Sequence, residues 1–73
     1  MSSSSHSIQS QVSGRVWKVE CPTGATVRAG DCVVIVESMK MEIPHEAPAS
    51  GSVTVLVAEG DQVQEGQLLA TLA

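Results

Sequence analysis

Glu37-Ser38-Met39-Lys40-Met41-Glu42 holds the side chain in this sequence best placed to do chemistry. An exposed lysine ε-amine is a nucleophile that can accept an acyl group. The chain has two lysines, and Lys18 sits mid-strand beside Trp17, where a solvent-facing role is expected. Lys40 lies between two methionines. Met39 and Met41 are open between filling a core and being recognised by a partner. Glu37 and Glu42 form no acid–base pair, because no cleft accompanies them. His6 and His45 are isolated and Cys21 and Cys32 lack ligand spacing, so no metal set and no catalytic set can be assembled.

Positioning Lys40 falls to a repeated half. Ser13-Gly14-Arg15-Val16 returns as Ser50-Gly51-Ser52-Val53, and Gly24-x-x-Val27-x-x-Gly30 as Gly60-x-x-Val63-x-x-Gly66. The apolar runs Cys32 to Val36 and Leu68 to Leu72 follow in step. The offset is 37 residues at the first block (51 − 14) and 36 at the second (60 − 24). A one-residue length change in the intervening loop accounts for that difference. Strands are expected near Ile8 and over Arg15–Val19, Thr26–Val27, Cys32–Glu37, Met41–Ile43, Ser52–Val57, Gln62–Val63 and Leu68–Leu72. Gly, Pro and Asp mark the turns between them. The spacing Val16-x-x-Val19, repeated as Val53-x-x-Leu56, breaks strict alternation and calls for a β-bulge in each half. Pro44 is expected to end the strand that begins at Met41. Met39-Lys40 is left as a hairpin tip where the halves join, a poor turn pair by local preference. Conflicts of that kind are expected at functional sites.

Seventy-three residues hold one domain, with little sequence to spare for a deep pocket. One Trp, no Tyr, no Phe and a net charge of −4 argue against nucleic-acid binding. The longest apolar run, Cys32 to Val36, is too short to span a membrane. Both cysteines are expected reduced, with Cys32 in the core. Residues 1–7 read as a flexible polar tail and residues 8–73 as the domain.

The segment Glu37 to Glu42 resembles the attachment motif of biotinyl (biotin carboxyl carrier) domains of the biotin/lipoyl attachment family. Ile43-Pro44, the Ser50-Gly51-x-Val53 block and the Glu59-Gly60-Asp61-x-Val63-x-x-Gly66 block are similar to that family too. The resemblance covers Ile8 to Leu72. It implies an all-β flattened barrel or sandwich of two four-stranded antiparallel sheets with a quasi-twofold internal repeat. It also implies that Lys40 carries biotin as an amide, attached by a biotin protein ligase. The cofactor would then carry carboxylate between a biotin carboxylase and a carboxyltransferase. Met39 and Met41 would be flanking recognition residues, and Glu37 a candidate for ligase recognition. The chain itself would be a cytoplasmic carrier, monomeric as an isolated domain and without catalysis of its own. A lipoyl carrier of a 2-oxo acid dehydrogenase or glycine cleavage-type system is the alternative. That family usually has Asp or Val before the lysine and Ala after it. Ser38 stands where many biotinyl domains have Ala.

Overall fold

The computed structural model describes residues 6–73. Eight strands follow in chain order: β1 (His6–Gln9), β2 (Gly14–Val19), β3 (Thr26–Val27), β4 (Cys32–Ser38), β5 (Met41–Glu46), β6 (Gly51–Val55), β7 (Gln62–Val63) and β8 (Leu68–Leu72). They form two four-stranded sheets, ordered β1-β8-β6-β3 and β5-β4-β2-β7. Every pairing is antiparallel. Exchanging β1 with β5, β2 with β6, β3 with β7 and β4 with β8 converts one order into the other. That is the quasi-twofold repeat expected from the sequence.

The halves are interlocked. β1 and β3 of the first half flank β8 and β6 of the second, and β5 and β7 flank β4 and β2. The Gly24 N–H donates to the Val53 carbonyl, and the Gly60 N–H to the Val16 carbonyl, each at 2.8 Å. Side chains repeat the exchange: the Val55 N–H donates to Thr23 Oγ1 at 2.8 Å and the Val19 N–H to Glu59 Oε2 at 3.1 Å. Each half therefore satisfies backbone groups that the other would leave unpaired.

Register irregularities put the right side chains inside. β8 skips Leu69 against β1, and β4 skips Val33 against β5. Such bulges let consecutive residues face one way. Val33-Val34 and Leu69-Ala70 are accordingly all fully buried. The core is built from corresponding positions, such as Val16 with Val53, Val27 with Val63 and Val36 with Leu72. Each buried valine contributes on the order of 1.5–3 kcal/mol relative to leaving it exposed.

Four expectations need correction. The offset changes inside a strand, not in a loop: Val16 pairs with Val36 but Lys18 with Ile35, so Trp17 is the inserted residue. β6 has no counterpart to this bulge. Val55 and Val57 pack on the core there, and Leu56 is 51% exposed. Trp17, extruded by the bulge, is 47% exposed. Second, β5 runs through Pro44 to Glu46. It is an edge strand, where proline's missing N–H breaks no ladder bond. Third, His6 and Ser7, placed in the tail by sequence, pair with Leu72 and Thr71 in β1; the rest of that tail, residues 1–5, lies outside the described residues. Fourth, Cys32 is only half-buried, as is Cys21, whose thiol donates to the Cys32 carbonyl at 3.2 Å. Burial first, then nearby acids (Asp31 and Glu20 for Cys21, Glu20 for Cys32), pushes both thiol pKa values up.

His45 takes the core position that Ile8 occupies in the other half, and it is 2% exposed. Its Nε2 accepts the Gln11 N–H at 2.9 Å and its Nδ1 faces the Ile43 carbonyl at 3.1 Å. One neutral tautomer satisfies both contacts, with the proton on Nδ1. Burial lowers its pKa below the ordinary 6.5. At pH values between the folded and unfolded pKa, the unfolded chain holds the extra proton. The resulting stability is complete above about pH 6.5 and is lost as pH falls through the lower folded value. Urea unfolding should therefore show the chain weakening from about pH 7.5 to 5. His45→Gln, which keeps an acceptor for Gln11, should flatten that slope; an unchanged slope would remove His45 as its cause.

Candidate functional site

β4 and β5 pair down to Glu37 with Glu42 and Ser38 with Met41. Two residues, Met39 and Lys40, make the turn. Their φ angles are +53° and +66°, the pattern of a type I′ hairpin. That turn matches the twist of the strands but needs left-handed backbone at both positions. For residues other than glycine this costs roughly 1–2 kcal/mol each. A strained turn persists only where its surroundings over-determine it.

Three contacts supply that constraint. The β4–β5 ladder closes directly beneath the tip. Gly14, at the start of β2, lies close beside β4 in the same sheet: a Cβ there would run into the Glu37 carbonyl oxygen. The Ser38 hydroxyl then donates to the Ser13 carbonyl at 2.8 Å, while Ser13 Oγ accepts the Glu65 N–H at 3.1 Å. Ser13, Gly14 and Ser38 were not expected as site residues. The repeated Ser-Gly block and the small residue inside the motif were the available signals.

Lys40 is exposed. Met39 is 91% and Met41 64% exposed, so neither fills the core. Glu37 is half-buried on the outer side of its strand, between Arg15 of β2 and Glu42 of β5 in register. The structure thus brings Glu37, Met39, Lys40 and Met41 together at one end of the barrel. Lys18 is exposed on the β2 strand, away from the turn. Among the described residues, no group of three or more His, Cys, Asp or Glu is placed to hold a metal ion.

An open groove of about 740 Å³ runs beside the tip, lined by Gly14, Glu37, Ser38, Met39, Gln64 and Gln67 among others. Gln67 precedes β8, and the far end of β8 pairs Leu72 with His6. The first and last strands therefore reach their outer ends at the pole opposite Lys40. An exposed amine on a strained, braced turn can accept an acyl group and present it clear of the barrel.

The family described as "Biotin-requiring enzyme" matches residues 3–72. The chain belongs to that family. A "Biotin/lipoyl attachment protein" of Bacillus subtilis (strain 168) is 47% identical over 64 residues, covering 86% of this chain and 88% of that protein. The crystal structure of the Kluyveromyces lactis urea carboxylase contains a region matching all of this chain, with TM-score 0.90 and 36% identity. A single-chain, multi-domain long-chain acyl-CoA carboxylase matches 92% of it, with TM-score 0.80 and 33% identity. This chain spans only 6% and 7% of those two enzymes. Its fold is that of a biotinyl attachment domain, and biotin is the group its family requires.

The close approach at Gly14 is open to direct test. Gly14→Ala should destabilise the domain by about 1–3 kcal/mol in urea titrations, because the opposing atom is backbone and cannot rotate away. An Ala variant within about 0.5 kcal/mol of the parent, as at an ordinary surface site, would show that the strands can part without cost.

Proposed function

We propose that Lys40 is the residue to which biotin is joined, and that the domain is a carrier working between enzymes. The left-handed, exposed turn at Lys40 is the observation that carries this reading. Amide formation on a lysine needs an activated acyl donor and removal of the ammonium proton. A biotin protein ligase supplies both. The chain contributes a primary amine held at a defined place, which lowers the entropy of reaching the donor. Met39 and Met41 offer the ligase two exposed apolar side chains beside the target, and Glu37 a carboxylate one strand position below the turn.

Once bound, biotin supplies a ureido nitrogen that can take up and release a carboxyl group. The domain's own residues do the rest: the ladder and Gly14 hold the tip, and Lys40 gives the attached group reach. Tethering raises its local concentration at a biotin carboxylase and then at a carboxyltransferase. The catalytic groups belong to those partner sites, and the carrier has none of its own. Relatives named for urea and for acyl-CoA substrates support the carboxylase setting without choosing the acceptor. No helix among the described residues is long and apolar enough to cross a membrane. We place the domain in the cytoplasm, monomeric when isolated.

Intact-mass analysis after co-expression with a biotin ligase tests the attachment point. Biotin is expected on Lys40 alone. Lys40→Arg should abolish labelling and leave the β-sheet circular dichroism unchanged, since arginine keeps the charge but is not this nucleophile. Labelling at Lys18, or lipoate in place of biotin when a lipoyl ligase is supplied as well, would overturn the reading.

A further inference from the structure

We propose that Ser38 is the positioning residue for Lys40, its hydroxyl latching the turn to the rest of the barrel. The argument begins where β2 stops. β4 is supported on one side by β2 and on the other by β5. The β2 ladder reaches Arg15 opposite Glu37 and goes no further along β4. Beyond it, Ser38 is paired in the ladder only with Met41 of β5, which is itself an edge strand paired with β4 alone among the described residues.

At that position the Ser38 side chain replaces the missing rung. Its hydroxyl donates to the Ser13 carbonyl at 2.8 Å. Ser13 is held in turn, because its own hydroxyl accepts the Glu65 N–H at 3.1 Å. Glu65 lies in the turn between β7 and β8, so the second half of the chain braces the loop from which the latch hangs. An alanine at position 38 would keep the strand and lose the latch. The turn would then visit other backbone conformations more often, favoured by the strain at Met39 and Lys40.

The consequence rests on Lys40 being the biotin acceptor. A partner that binds only the latched turn sees an affinity reduced by the fraction of time the turn is latched. Loss of the latch should therefore raise KM for biotinylation and leave kcat unchanged. A hydrogen bond of this class is worth about a threefold to tenfold change.

Two measurements on the full chain test this. In Ser38→Ala, amide hydrogen exchange at Met41, whose pairing with position 38 closes the turn, should accelerate about threefold to tenfold, with β1 and β8 unchanged. Ligase KM should rise at constant kcat by up to that factor, the exchange change being its upper bound, and Ser38→Thr should restore both. Parental exchange and KM in Ser38→Ala would overturn the proposal. So would faster exchange spread evenly over β1 and β8, which would make Ser38 a general stability residue. Exchange needs no ligase. A parent chain that takes no biotin would sink the Lys40 reading, while faster exchange confined to the turn would still support the latch.

Discussion

Neither half of this chain can close a sheet by itself. Each contributes the two central strands of one sheet and lends two flanking strands to the other. The reciprocal bonds from Gly24 to Val53 and from Gly60 to Val16 make this interdependence explicit. A chain of this size buries too little surface to tolerate an unpaired interior amide. Among the described residues, no buried side-chain nitrogen or oxygen lacks a partner. Interlocking is what allows a core made almost entirely of valine, leucine and alanine to be enclosed without large aromatics.

The same symmetry explains why the turn at Lys40 is singular. The strand joint that carries Met39-Lys40 corresponds, under the twofold, to the place where β8 ends beside the start of β1. One copy of the joint is a covalent two-residue hairpin, whereas the other pairs two strands far apart in sequence, β1 and β8. The hairpin reverses direction within two residues, and among the described residues it alone has left-handed backbone at non-glycine positions. Elsewhere glycine takes that role, with Gly24 and Gly60 both at φ +94°. The outer faces differ as well. Lys18, Ile35 and Pro44 lie across one sheet, beside the extruded Trp17, where Thr54, Thr71 and Ser7 lie across the other.

Much of this was legible in the residues. The Ser-Gly-x-Val and Gly-x-x-Val-x-x-Gly blocks mark equivalent turns and strand starts, and β2, β3, β6 and β7 fall on them, with β4 and β8 on the apolar runs that follow. The Met-Lys tip was visible as a violation of turn preference. What escaped was whatever depends on register. Trp17 could not be recognised as an inserted residue, because a bulge is defined by the partner strand and not by its own sequence. Val16-x-x-Val19 and Val53-x-x-Leu56 look alike, yet only the first contains a bulge. In the sequence His45 stands isolated, because its partners, the Gln11 amide and the Ile43 carbonyl, are backbone groups. Ser38 shows no role in the sequence for the same reason: its acceptor is the carbonyl of Ser13, 25 positions away.

A carrier faces opposing demands at its tip. On the proposed reading of Lys40, the amine must stand clear enough to enter other proteins' active sites, which removes it from the packing that normally fixes a side chain. It must also arrive in a reproducible place, which loose loops do not provide. A two-residue turn answers both, since it is the shortest reversal that an antiparallel pair allows and leaves little backbone free to wander. The cost is strain at Met39 and Lys40. Glycine or asparagine would remove that strain, but either at position 40 would remove the amine, and glycine at position 39 would widen the conformational range beside it. The turn is therefore better braced from below than relaxed from within. Gly14 lets β2 approach the Glu37 carbonyl closely enough for the bracing to reach the last ladder rung before the tip.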